Sequence, residues 1–127
     1  MILTPPHSGN PLIINLLAAH GISFARIGSL TEGPGIRLIM DDARAARIAT
    51  EHLLELGHTR IGFIAGAAEY ELSGWRVDGW HGAMEAAGVS NADLLAVGDF
   101  SYPSGRAAAE QLLALPIPPT AIIASND

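Results

Sequence analysis

The sequence contains no cysteine and no lysine. Without thiols there are neither disulfides nor thiolate metal sites, a composition compatible with the cytoplasm, where the chain is expected. All seven basic residues are arginine, no two of them adjacent, against thirteen acids and a formal net charge of −6. Nucleic-acid binding draws chiefly on clustered Lys and Arg that neutralise phosphates, so this stretch by itself makes a poor DNA-binding surface. No apolar run approaches the roughly 18 residues of a membrane span, and no basic segment leads into an apolar one as in a secretory signal. A G-x-S-x-G elbow, a P-loop and G-x-G-x-x-G are all missing, which leaves nucleophilic catalysis and a phosphate cradle without a motif. Ser104, in Pro103-Ser104-Gly105-Arg106, reads as a first-turn helix residue. His52 and His58 straddle the end of a helix and so do not share a face, as paired metal ligands would. No enzymatic activity, cofactor or metal site is expected.

What the chain does have is 127 residues that are 49% hydrophobic, enough for one core. Its fold class is decided between Asp41 and Ala68, DDARAARIATEHLLELGHTRIGFIAGAA. Two acids open this stretch, suiting a helix N-terminus whose free N–H groups and dipole favour negative charge; they could also be acid–base groups, but capping accounts for them. Ala45, Ile48, Ala49, His52, Leu53 and Leu56 recur at the spacing of one helix face, which is expected to be buried. Gly57 can take the left-handed conformation that ends a helix. Ile61-Gly62-Phe63-Ile64-Ala65 follows, apolar at successive positions, as a strand covered on both faces reads. Helix, glycine stop and doubly buried strand make half of a parallel α/β unit.

The same alternation runs along the rest of the chain. Met1–Thr4 is a short apolar piece stopped by Pro5-Pro6. Asn10 caps a helix with Pro11 in its first position, and Leu12, Ile13, Leu16, Leu17 and His20 form its predicted buried face. Strands are expected at 22–27 and 36–40. Ser73 is a plausible cap for the next helix, whose stripe is Val77, Trp80, Met84 and Ala87, with Gly79 and Gly82 open to a close neighbour. Further strands fall at 94–98 and 120–124, with a helix at 101–115 between them whose inner positions are Ala108, Leu112 and Leu115. Beginning in one strand and stopping just past another, the chain reads as a fragment of a longer protein, truncated at both ends.

Open parallel sheets bind ligands at the carboxyl ends of their strands. The residues just past the predicted strands include Thr4, Gly28-Ser29, the segment 66–76, Asp99-Phe100 and Ser125-Asn126. Arg76 offers a planar fork of donors, Asn126 both donors and acceptors, and Phe100 an apolar face. Together they suit a small polyhydroxyl or heterocyclic ligand. Singly, Arg76 also reads as a helix-surface cation, Phe100 as core and Asn126 as a turn former.

The succession DDARAARIATEHLLELGHTRIGFIAG, SGWRVDGW, GDFSYPSGRAAAEQLLAL and PPTAIIASND resembles the LacI/GalR family of bacterial transcription regulators, with ILTPP and ISFARIG fitting upstream. The resemblance implies a type I periplasmic-binding-protein-like α/β fold of two subdomains with an effector, usually a sugar or nucleobase, in the cleft between them. Residues 1–40 would be the later part of the N-terminal subdomain and 41–127 the first part of the C-terminal one. Arg76 matches the family's pocket arginine, Phe100 its stacking aromatic, Asn126 its asparagine–aspartate motif, and Thr4 more loosely a cleft-lining position. Gly28 and Leu72 depart from the acid and the hydroxyl that some sugar-binding members carry there. The implied function is effector sensing that controls operator DNA through a headpiece absent from this chain, in a homodimer in which the 101–115 helix takes part. A solute-binding protein of a transport system shares the architecture and is the alternative. Arg76→Ala is expected to weaken effector binding and leave folding intact.

Overall fold

A computed structural model describes residues 1–126, which divide into two compact units, Met1–Asp41 and the remainder from Asp42. In the first unit, β1 (Ile2–Leu3), β2 (Ala25–Ile27) and β3 (Ile36–Leu38) form a parallel sheet in the order β1-β2-β3. Ile2 lies opposite Ala25, and Ala25 opposite Ile36. A single 3-10 turn (His7–Gly9) precedes α1 (Pro11–Ala19). The Asn10 side chain accepts from the N–H groups of Leu12 and Ile13 at 3.0 and 3.4 Å, and Pro11 occupies the first turn, as the sequence predicts.

The core of this unit is Leu3, Ile14, Leu17 and Phe24, with Ile13 packed against it. Leu12, Leu16 and His20, expected to face inward, are exposed. Strands of two and three residues offer only a narrow apolar strip, and α1 turns Ile14 and Leu17 onto it. Arg26 on β2 is fully buried and donates to the carbonyls of Thr31 (2.8 Å) and Gly33 (3.2 Å). It thereby ties down the loop that joins β2 to β3.

The second unit contains α2 (Asp42–Glu55), β4 (Ile61–Ala65), α3 (Glu71–Ala86), β5 (Leu95–Val97), α4 (Tyr102–Leu113) and β6 (Ala121–Ala124). Its strands are all parallel, in the order β5-β4-β6. β4 lies in the middle and every residue of it is buried, which accounts for its unbroken apolar run. Successive side chains of a strand point to opposite faces, and two cores result. Ile61, Phe63 and Ala65 pack with Ala46 of α2, with Trp80 and Met84 of α3, and with Leu94. Ile64 packs with Ala96, and with Ala108 and Leu112 of α4. Trp80 stacks on Phe63 with ring centroids 5.6 Å apart, and its indole N–H donates to the Ile61 carbonyl at 3.1 Å.

The inward face of α2 is not the predicted one. Asp42, Ala46 and Thr50 are buried, with Leu53 and Leu54 partly so, while Ala45, Ile48, Ala49, His52 and Leu56 are exposed. The helix is turned by about one residue, roughly 100°. The two polar side chains on the buried face each have a partner: Thr50 donates to the Ala46 carbonyl at 2.7 Å, and Asp42 pairs with Arg76. The crossing with α3 is set by Gly79, where an added methyl would overlap the backbone of Ala43. α3 itself begins two residues before its predicted cap, with Tyr70 at the cap position and no side-chain cap bond.

Candidate ligand site at the carboxyl edge of the second sheet

Each strand of the second sheet runs into a segment that carries one of the predicted residues. The turn after β4 leads through residues 66–70 into α3, whose second turn holds Arg76. The Arg76 guanidinium is a quarter exposed, and it is neither free nor on an idle surface. Its Nε and Nη2 donate to one carboxylate oxygen of Asp42 at 2.8 and 2.7 Å, and its Nη1 donates to the Ser125 carbonyl at 2.7 Å. Asp42 is 3% exposed. One side chain thus joins the start of α2, the start of α3 and the end of β6.

This bears on the expectation that Arg76→Ala leaves folding intact. Removing one partner of a buried ion pair strands the other charge and typically costs ~3–5 kcal/mol. Arg76 is therefore a structural tie as well as a candidate ligand donor.

Phe100 follows β5 and is the non-glycine residue with positive φ, +68°, among those described. Left-handed backbone costs an L-residue roughly 1–2 kcal/mol, and the turn around Phe100 supplies compensating bonds. The Ser101 N–H donates to the Asp99 carboxylate at 2.9 Å, the Ser104 hydroxyl accepts from the Asp99 N–H at 3.0 Å, and Ser101 caps α4. Hydrogen bonding from the side chains of Ser101 and Ser104 and from the Ser101 backbone lowers the Asp99 carboxyl from 3.8 to about 2. The Phe100 ring lies against the backbone of Gly66, where an added methyl would overlap it, and meets Tyr70 edge-on with centroids 5.3 Å apart. Asn126, past β6, directs its amide nitrogen at the Phe100 carbonyl at 3.4 Å, a long contact.

Arg76, Phe100 and Asn126 thus stand at one edge of one sheet, linked through Ser125 and the Phe100 carbonyl. Thr4 belongs to the first unit. It is exposed just past β1, and its carbonyl accepts from the N–H groups of His7 and Ser8. For four residues at the second sheet's edge the sequence reading missed the role, although Ser125 and the segment 66–76 were among the positions just past its strands. Asp42 looked like a helix cap, and its pairing 34 residues away leaves no local mark. Ser125 enters through its carbonyl, which every residue has. Gly66 and Tyr70 did leave a trace, a glycine directly after a buried strand and an aromatic ring between two glutamates in a loop.

The profile described as periplasmic binding proteins and sugar binding domain of LacI family matches residues 1–127. The chain belongs to that family. Among LacI-family relatives, the HTH-type transcriptional repressor CytR of Escherichia coli K12 is 40% identical over 89 residues, 69% of this chain and 26% of CytR. The ribose operon repressor of the same organism is 38% identical over 81 residues, 63% of this chain and 24% of that protein. The chain therefore spans about a quarter of the length of these curated relatives. The crystal structure of a LacI family transcriptional regulator from Mycobacterium smegmatis superposes with a TM-score of 0.74 at 30% identity, over 97% of this chain and 46% of that one. This LacI-family chain thus has the parallel α/β fold of a periplasmic-binding-protein-like effector domain. Among the described residues no helix is long and apolar enough to cross a membrane, and no group of three or more His, Cys, Asp or Glu could hold a metal.

Proposed function

We propose that this chain is the effector-sensing part of a LacI-type transcriptional regulator. It binds a small ligand, a sugar, through Arg76, Phe100 and Asn126, with Thr4 assigned the same role at the end of β1. The observation that carries this reading is the convergence of a held guanidinium, an aromatic ring and an amide at the carboxyl ends of β4, β5 and β6, where open parallel sheets take ligands. Asp42 and Ser125 fix the orientation of Arg76 in advance, which lowers the entropy a ligand must overcome to be held by it. The Phe100 ring covers an apolar face of the ligand, and Asn126 bonds an edge. Residues 1–40 are read as the later part of an N-terminal subdomain and residues 41–127 as the first part of a C-terminal one.

In the whole protein, ligand binding controls operator DNA through a helix-turn-helix headpiece outside these residues, and the protein works as a cytoplasmic homodimer. Tyr102 and Leu113 of α4, both largely exposed, are offered as part of the dimer contact. The family profile also embraces periplasmic binding proteins, but the curated relatives cited are repressors, which favours regulation over solute transport. The test is calorimetric titration of the full-length protein with a panel of pentoses, hexoses and nucleosides. Arg76→Lys keeps a cation beside Asp42 but loses the two-pronged donor. It should stay folded and weaken the best ligand roughly ten- to a hundredfold, the loss of a charge-assisted bond. Unchanged affinity in a folded Arg76→Lys protein would remove Arg76 from the site.

A further inference from the structure

The charge on Arg76 is already neutralised within the protein. Both Nε and Nη2 lie on Asp42, a carboxylate that is itself 3% exposed and so cannot be solvated away from its partner. No other cationic residue lies in the segments that follow β4, β5 and β6 as far as Asn126: residues 66–72, 98–101 and 125–126 contain neither Lys, Arg nor His. They do contain acids, the exposed Glu69, Glu71 and Asp99. Arg44, near the start of α2, is engaged with a partner of its own. Uncharged polar groups also stand in these segments and in the first turn of α3. Asn126 supplies an amide, and Ser73 and Ser125 have buried hydroxyls without hydrogen-bond partners. A buried hydroxyl without a partner is costly, and a ligand hydroxyl or an ordered water would satisfy it.

We propose that Asp42 sets the charge preference of this site: by pairing with Arg76 it makes the site select a neutral polyhydroxyl ligand and reject the phosphorylated form of the same molecule. The proposal rests on the reading of Arg76 as a ligand donor. A phosphate entering beside Arg76 would have to compete with a buried carboxylate held at hydrogen-bond distance, and would meet repulsion from that carboxylate. A hydroxyl or ring oxygen needs only the guanidinium N–H groups that Asp42 and Ser125 leave unused, since Arg carries five donors.

The experiment takes the full-length protein and matched pairs of probes: D-ribose and D-ribose 5-phosphate, D-glucose and D-glucose 6-phosphate, adenosine and AMP, together with inorganic phosphate. Thermal shift finds the pairs that bind, and calorimetry measures them. The expected result is that the neutral member of a responding pair binds at least tenfold more tightly than its phosphorylated partner. Asp42→Asn, which keeps the size and the hydrogen bond but not the charge, should narrow that ratio at least tenfold and let inorganic phosphate stabilise the protein. A phosphorylated member that binds the wild type as tightly as its neutral partner, or more tightly, overturns the proposal. If no pair responds, phosphate decides alone: stabilisation that appears only in Asp42→Asn supports the proposal, and a folded Asp42→Asn protein blind to phosphate overturns it. Should Asp42→Asn not fold, the wild type decides, since phosphate stabilisation lost in Arg76→Lys would show an unneutralised cation, and its absence supports the pairing. A hit whose affinity is unaffected by Arg76→Lys defeats the reading of the site itself, and the proposal with it, whichever charge form it prefers.

Discussion

Arg76 is a structural tie and, on the proposed reading, a ligand donor, and its substitutions should separate the two. Arg76→Ala leaves the Asp42 carboxylate buried and unpaired, so thermal or urea unfolding should register a loss of ~3–5 kcal/mol. Arg76→Lys should recover much of that stability, because a single ammonium can still face Asp42. Equal losses in the two variants would mean that the fork geometry, rather than the charge, holds α2 to α3. Asp99 offers a pH test. Its carboxyl is lowered from 3.8 to about 2 in the folded chain. A folded value below the unfolded one gives stability that is fully present above pH 3.8 and is lost as pH falls through about 2. Asp99→Asn should therefore flatten the decline in stability on acidification between those limits. An acid limb unchanged by the substitution would assign the decline to other carboxylates.

At the scale of elements, the close packing of α2 on α3 hangs on a missing side chain. A methyl at Gly79 would overlap the backbone of Ala43, and backbone cannot turn aside as a side chain can. Gly74, on the same helix, has nothing within 4 Å of an added Cβ. Both substitutions to alanine gain the same helix propensity, about 1 kcal/mol at most, so the difference between them isolates the crossing. Gly74→Ala should be neutral or stabilising and Gly79→Ala destabilising by ~1–3 kcal/mol, the usual cost of overpacking. Urea melts of the two proteins make the comparison. A Gly79→Ala protein as stable as Gly74→Ala would show that the helices can part without loss. The amino edge of the same sheet has a different tie: Arg60 donates to the Asp93 carboxylate at 2.8 Å and to the Ile117 carbonyl at 2.6 Å. An arginine–aspartate tie thus stands at each end of the strands.

For the whole molecule, charge distribution decides what the isolated chain can bind. With a net charge of −6 and its arginines dispersed, it offers duplex DNA no phosphate-neutralising surface. The 127-residue chain alone should show no sequence-specific, salt-sensitive DNA binding by mobility shift at moderate ionic strength. A retarded complex that weakens steeply with added salt would contradict this. Association is a separate matter. Ile48 and Leu56 of α2, and Tyr102 and Leu113 of α4, leave apolar surface uncovered on the second unit, and light scattering at high concentration should find species larger than a monomer.

The order of strands and helices in this chain follows from local chemistry that can be read in one dimension. Asn10-Pro11 starts a helix, Gly57 ends one, and an apolar run such as 61–65 has no stable place except the middle of a covered sheet. Parallel pairing follows as well wherever a connection is long enough for a helical crossover; β2 and β3 are the exception, pairing in parallel across residues 28–35, which hold no helix. Helix faces were less legible. α2 carries apolar residues on more than one side, and its own pattern favoured Ile48 and Leu56. The inward side was chosen instead by what α3 presents, a glycine at 79 for the backbone of Ala43 and an arginine at 76 for Asp42. The candidate site divides in the same way. Position past a strand pointed to Arg76, Phe100 and Asn126, since a sheet's carboxyl edge is defined by topology alone. The pairing of Arg76 with a buried acid 34 residues away, and the stacking of Phe100 on Gly66, depend on distances that exist only after the chain has folded. A charge read from sequence gives no sign of whether it has already been neutralised, because the neutralising partner is brought to it by tertiary structure.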